Sequence, residues 1–144
     1  MARFGNGIFA GLVATIVLSA FMVMKQMMGM MPELDVINML TTMSGASSPV
    51  VGWLMHFMIG SIVWGGLFAL TQGHIPDGNI ILRDAIFGAG AWLLMMVMVM
   101  PLAGAGLFGL HFGMAAPVMT FLLHEVFGCT LGAVYGLRMQ PKAA

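Results

Sequence analysis

Two stretches of this chain follow one pattern, and the rest of the sequence is interpreted around them. Residues 49–61 read PVVGWLMHFMIGS, and residues 117–129 read PVMTFLLHEVFGC. Both begin with Pro-Val and carry an aromatic residue followed by Leu. Both place a His seven residues after the Pro and a Gly four residues after that His. The pattern predicts an internal repeat in which His56 and His124 occupy equivalent positions.

The composition is typical of a membrane protein. Of the 144 residues, 60% are hydrophobic and only 7% are charged, whereas a soluble globular domain carries about 25% charged residues. Five basic and five acidic residues give a net charge of zero, so nothing in the charge favours a nucleic-acid partner. The sequence therefore predicts a single transmembrane domain over residues 1–144, with the lipid bilayer as its main partner.

Four apolar segments are long enough to cross a bilayer, which takes roughly 20 helical residues. Pro breaks and Gly-rich turns separate them, and the segment 73–79, GHIPDGN, is predicted to be a soluble loop. The predicted fold class is all-α: an integral membrane four-helix bundle made of two parallel helical-hairpin repeats. We expect the long helices at about 5–28, 49–72, 84–100 and 114–137, and a short interfacial helix at about 35–43.

The basic residues predict the orientation of the bundle. In a four-crossing arrangement Arg3, Arg83, Arg138 and Lys142 fall on one side, and Lys25 alone lies toward the other. The positive-inside rule then places both termini in the cytoplasm. We expect a multi-pass protein of the bacterial inner (plasma) membrane. Because each repeat contains two crossings, both hairpins should enter from the same side, as in a parallel repeat.

The two histidines are the main functional candidates, because a polar ring without a partner in hydrocarbon costs about 2 to 7 kcal/mol. One interpretation is structural: each imidazole is satisfied by a carbonyl or hydroxyl group of a neighbouring helix, and small residues let the helices approach closely. The other is a paired-His site that binds or conducts a small ligand or ion. The glycines at spacings of four and eight residues from the histidines are predicted to serve helix packing: Gly52, Gly60, Gly128 and Gly132.

Three further polar residues are candidates for the same ligand or ion site. Glu125 follows His124 deep in the fourth segment, Lys25 lies near the end of the first, and Thr120 precedes His124 by one helical turn. Ionisable groups inside a membrane normally find a partner in the bundle interior or in a wet cavity. Lys25 and Glu125 are therefore expected either to form an ion pair or to join the histidines in a site for proton or cation movement.

Two cofactors are compatible with these residues. Two imidazoles on facing helices, flanked by small residues, suit a bis-histidine haem b. Thioether and imidazole ligands together suit copper in its Cu(I) state, and the chain contains 18 Met. The candidate copper ligands are His56 and His124 with Met24, Met28 and Met31, which are placed at helical spacing.

No motif indicates catalysis. His124 and Glu125 lack the second His at position 128 that a zinc-protease helix requires, and no Ser, Cys or Asp arrangement suggests a nucleophile. We expect a non-enzymatic membrane component. The alternatives are a haem- or copper-binding accessory protein of a respiratory or metal-handling system, and a structural subunit. In that last case the small-residue helix faces would dock onto a second copy or a larger membrane complex.

Two segments also carry a family resemblance: residues 31–36, MPELDV, and residues 100–109, MPLAGAGLFG. With these motifs the chain resembles, over nearly its whole length, a family of small four-helix bacterial inner-membrane proteins of unknown function. The resemblance implies the fold and the membrane location. It carries no catalytic residues.

Overall fold

The protein is helical throughout the part of the chain that the structure describes. A computed structural model describes residues 2–72 and 80–139, and these ranges contain helices and turns but no strand. Four of the helices are long and apolar enough to cross a membrane. The prediction of an all-α membrane bundle with four long helices is therefore confirmed, while the repeat symmetry of its two hairpins stays a prediction.

The helices differ from the predicted segments mainly at their ends. The expected soluble loop at 73–79 lies outside the described residues. In chain order the elements are α1 (Ala2–Met27), the short α2 (Val36–Met43), α3 (Pro49–Thr71), α4 (from Ile80 to Leu102), a 3-10 helix (Leu107–Phe112) and α5 (Ala115–Met139).

Turn chemistry explains the two connections, 28–48 and 103–114. Asp35 caps α2 by accepting a hydrogen bond from the backbone N–H of Asn38 at 3.0 Å, and Pro49 begins α3, where a missing N–H costs nothing. The second connection needs a left-handed backbone, which glycine adopts most readily. Its positive φ angles fall at Phe108 and at four glycines: Gly104, Gly106, Gly109 and Gly113. Both connections lie at the same end of the bundle, called the loop end below.

The long helices pack in the order α3, α1, α5, α4. Glycines allow the close approaches: a Cβ atom added to Gly128 of α5 would lie 2.6 Å from the carbonyl oxygen of Asp84 and 2.8 Å from Cα of Gly88, both in α4. By contrast α3 and α4 make few close backbone approaches. Their contact is made by rings, with Phe87 lying 5.8 Å from Trp64 and 4.9 Å from Phe68 between centroids.

Both helices at that loose contact contain a π-helical segment. In α3 the π-helix spans Ile59–Trp64, and in α4 it spans Met95–Val99. A π-helix bonds each N–H to the carbonyl five residues back and inserts one extra residue into the turn, and such segments often occur at functional sites. The two π-helical segments therefore lie in α3 and α4, the helices whose mutual contact is loose.

Two clusters of buried side chains form the core. One is centred on Phe68, Phe127, Leu131 and Tyr135, packed against small residues of α1. The other lies at the loop end and contains Leu34, Met96, Met100 and Ala105. Because Leu34 and Ala105 belong to the two connections, the loops themselves complete the core at that end.

The glycine contacts generate a stability prediction. Gly128→Ala should lower the free energy of unfolding by about 1 to 3 kcal/mol, because the new methyl group meets backbone atoms of α4 that cannot move independently. Gly136→Ala is the matched control in the same helix: nothing lies within 4 Å of an added Cβ there, so the better helix propensity of Ala should leave stability equal or slightly higher. Thermal unfolding in detergent measures both, and equal losses would contradict this account of the α4–α5 contact.

Candidate functional site

Both repeat histidines line one cavity inside the bundle. The cavity has a volume of about 240 Å³ and is bounded by all four long helices, with Val36 and Leu40 of α2 at one side. Its wall is almost entirely apolar. The side chains deepest in it include His56, Phe127 and Ala91, which are 8%, 3% and 1% exposed. Residues of both π-helical segments also line it: Ile59, Gly60, Val63 and Trp64 from α3, and Met95 and Val99 from α4.

His56 is held by α1 and by neighbouring rings. Its Nε2 atom lies 3.2 Å from the hydroxyl oxygen of Ser19, and that hydroxyl donates its own proton to the carbonyl of Thr15 at 2.7 Å. Because the Ser19 proton is already directed at Thr15, the imidazole must donate through Nε2–H. The rings of Trp53 and Phe57 contact His56 edge to face, at 6.0 and 5.8 Å between centroids, and fix its orientation.

His124 is held by its own helix. Its Nδ1 atom lies 2.8 Å from the carbonyl oxygen of Thr120, and a carbonyl can only accept, so the imidazole donates through Nδ1–H. The hydroxyl of Thr120 donates to the Ala116 carbonyl at 2.8 Å and accepts from the indole N–H of Trp92 at 3.1 Å. Trp92 therefore ties α4 to the turn of α5 that precedes His124.

These hydrogen bonds fix opposite tautomers in the two rings. A neutral imidazole has one donor and one acceptor nitrogen. In His56 the acceptor is Nδ1, and in His124 it is Nε2. Neither acceptor nitrogen has a hydrogen-bond partner among the described residues. The cavity is thus lined by two imidazole rings, each with one acceptor nitrogen that has no hydrogen-bond partner among the described residues.

A second cavity, of about 300 Å³, adjoins the first at the loop end. It is lined by polar residues of α1, α2 and the connection between them, including Lys25, Gln26, Asp35 and Asn38. The layer between the two cavities consists of the residues that line both: Met22, Val36, Thr120 and Leu123. The apolar histidine cavity therefore has a polar neighbour on the loop side.

Lys25 and Glu125 are not brought to the histidines. The ammonium group of Lys25, 5% exposed, donates to the carbonyls of Met31 at 3.0 Å and Leu34 at 2.9 Å, so it fastens the loop after α1 rather than pairing with Glu125. Glu125 faces α4: its Oε1 lies 3.3 Å from where a Cβ of Gly88 would be, and this buried oxygen lacks a partner among the described residues. Successive helical residues point about 100° apart, which explains why Glu125 leaves the face of His124.

The predicted methionine ligands lie elsewhere as well. Met24 is 48% exposed on the outside of α1, and Met28, just after the helix end, is 64% exposed. Met31 lies further along the same connection with a φ of 48°. None of the three lines the histidine cavity. Two other methionines do, Met22 and Met95. The described residues contain no group of three or more His, Cys, Asp or Glu side chains placed to hold a metal ion.

The glycines named from the sequence all lie at close helix contacts. A Cβ at Gly52 would meet the carbonyl of Ile37 in α2, at Gly60 the hydroxyl of Thr15 in α1, and at Gly132 the carboxylate of Asp84 in α4. Gly128 meets α4 as described above. Of these, Gly60 also lines the histidine cavity, so its lack of a side chain contributes to the space between the rings.

Sequence reasoning missed Asp84. Its side chain is buried, 3% exposed, between α4 and α5. Its neighbour Arg83 bonds to it at 3.3 Å. The sequence signal that could have identified Asp84 is its four-residue spacing from Gly88. This spacing puts both residues on the helix face that meets Gly128 and Gly132.

The histidine cavity is small for a haem. It holds about 240 Å³, which is below the roughly 300–1,000 Å³ of sites for drug-sized ligands. The space suits a smaller ligand.

The hydrogen bonds predict which tautomer His56 and His124 should each adopt in solution. Nitrogen-15 NMR of histidine-labelled protein in detergent should show His56 protonated at Nε2 and His124 protonated at Nδ1. Ser19→Ala removes the acceptor of the His56 ring and should shift only the His56 signals toward a mixture of tautomers. Identical tautomers at both positions in the wild-type protein would contradict the arrangement.

Comparison with known proteins identifies the family of this chain but assigns no activity to it. Searches of curated proteins and of solved structures found no match to this chain. The model of one family matches residues 1–144, the whole chain. That family agrees in its unknown function with the resemblance read from the sequence motifs. The chain belongs to a family of unknown function, DUF6789.

Proposed function

We propose that this is a non-enzymatic membrane protein that binds a small ligand within the bilayer, in the cavity between His56 and His124. The observation that carries the proposal is the state of the two rings. Each imidazole is anchored by one nitrogen, and the other nitrogen has no partner among the described residues. Both rings line the same apolar cavity.

The cost of this arrangement supports a ligand. A polar group without a hydrogen bond inside hydrocarbon is unfavourable by about 1 to 3 kcal/mol, and the two unpartnered ring nitrogens carry this cost wherever the cavity that the rings line offers no hydrogen-bond donor. If the histidines served packing alone, a Leu or Phe side chain would fill the volume without that cost. A ligand that contacts both nitrogens would remove it.

Copper is the second candidate, because Met22 and Met95 line the same cavity as the two rings. Two neutral imidazoles and thioether sulfurs are ligands that suit Cu(I). In this form the proposal keeps the histidines of the sequence prediction and replaces Met24, Met28 and Met31.

The proposal predicts a bound species that depends on the cavity. Protein purified from its native membrane should yield, on organic extraction and metal analysis, a small molecule or copper at close to one per chain. The double variant His56→Phe, His124→Phe keeps the ring volume but removes the acceptors, and it should lose that species. His111→Phe is the matched control, since His111 lies exposed at the loop end and bonds the Gly104 carbonyl. Equal content in wild-type and double-variant protein would overturn the proposal.

We further infer that the protein lies in a bacterial inner membrane with both termini in the cytoplasm, and that it assembles with a second copy or a larger membrane complex. The distribution of basic residues supports the orientation. In a Cys129→Ala background, a membrane-impermeant maleimide should label Ser47→Cys at the loop end in intact cells with a permeable outer membrane. It should label Ala144→Cys only after lysis; the reverse pattern would contradict this orientation.

A further inference from the structure

The histidine cavity opens sideways toward lipid between α3 and α4. Its lining residues grade from buried to exposed in that direction: Ala91 is 1% exposed, whereas Leu94 of α4 is 44% and Val63 of α3 is 55% exposed. These two helices make few close backbone approaches. We call Val63 and Leu94 the rim residues.

Aromatic rings close part of the cavity wall. Trp64 lines the cavity and packs edge to face on Phe87, which also contacts Phe68, so these rings seal the space between α3 and α4 below the opening. Phe127 of α5 is nearly fully buried at the cavity wall. An apolar molecule in the hydrocarbon layer therefore has a direct way in past the rim residues.

The π-helical segments place this opening. Val63 lies in the segment Ile59–Trp64, and Met95 and Val99, which line the facing wall, lie in the segment Met95–Val99. A π turn is wider than an α turn and shifts the side chains that follow it. Both walls of the cavity at the opening are therefore formed by irregular turns, which explains how a gap persists between two long helices that touch elsewhere.

The chemistry inside the cavity selects the ligand. The apolar wall favours binding of a hydrocarbon group. The unpartnered nitrogens of His56 and His124 are hydrogen-bond acceptors, so they favour a ligand with a hydrogen-bond donor. We propose, as a deepening of the proposed function and resting on it, that the cavity takes from the bilayer an apolar molecule carrying a hydroxyl group, such as a phenol or quinol ring with a hydrocarbon tail, through the opening between α3 and α4. The hydroxyl donates to one of the two histidine acceptor nitrogens, and the tail extends past the rim residues into lipid.

A matched pair of probes tests the ligand class. A tail-brominated 4-heptylphenol and its methyl ether have nearly the same apolar surface, but only the phenol can donate a hydrogen bond. In liposomes, bromine quenching of Trp64 reports binding, with concentrations corrected for partition into protein-free vesicles and with Trp64→Phe as the blank. The phenol should bind about tenfold more tightly than the ether, as one well-formed hydrogen bond in an apolar site allows. In the double variant His56→Phe, His124→Phe the ratio should fall to about one.

A second matched set tests the route. Val63→Phe and Leu94→Phe place a larger ring at the rim and should slow the stopped-flow quenching rate at least fivefold. Ile62→Phe and Leu93→Phe make the same change at the adjacent lipid-facing positions, which are 47% and 48% exposed and do not line the cavity, and these should leave the rate unchanged. Equal rates in all four variants would overturn entry between α3 and α4.

The outcomes separate this inference from the proposed function. If phenol and ether bind equally, or if neither binds while wild-type protein still carries copper or another species lost in the double histidine variant, the hydroxyl-bearing ligand is wrong and the proposed function stands. If the phenol shows no histidine-dependent binding and the extraction experiment also finds no histidine-dependent species, both are wrong. Histidine-dependent preference for the phenol supports both.

Discussion

The requirement that every polar group in hydrocarbon find a partner governs this structure. Each buried hydroxyl of α1 meets it locally: Thr15 donates to the Gly11 carbonyl and Ser19 to the Thr15 carbonyl, both at 2.7 Å. These bonds consume the hydroxyl protons, so the Ser19 oxygen is left as an acceptor for His56. A routine helical hydrogen bond in α1 thereby sets the tautomer of a histidine in α3.

Lys25 meets the same requirement in a different way. Its burial would be costly for an unpartnered ammonium group, and two loop carbonyls, of Met31 and Leu34, supply the partners. Leu34 then joins Met96 and Met100 in the buried cluster at the loop end. The charge that was expected either to pair with Glu125 or to join the histidines instead organises a turn, and the turn completes the core at the loop end.

The close and the loose helix contacts of the bundle have different roles. Glycines at the α1–α3 and α4–α5 contacts bring backbones together, as is usual where lipid gives no hydrophobic drive for helix association. These contacts make two firm hairpins, which α1 and α5 join. The remaining pair, α3 and α4, makes few close backbone approaches and meets through the rings of Trp64, Phe68 and Phe87. The histidine cavity lies beside this loose contact.

The sequence by itself determined the membrane class, the four long helices and the two histidines worth pursuing, because hydropathy, breaking residues and a repeated motif are properties of the chain order. It also singled out glycines that lie at close helix contacts. Only the tertiary structure decided which residues share a site. Glu125 adjoins His124 in the chain but faces α4, and the methionines that line the histidine cavity are Met22 and Met95 rather than those chosen by spacing. The π-helical segments shift side-chain phase, and the pairing of helices sets what meets across the cavity. Neither the shift at a π-helix nor the pairing of the helices follows from a regular helical period. Neither could therefore be predicted from the sequence.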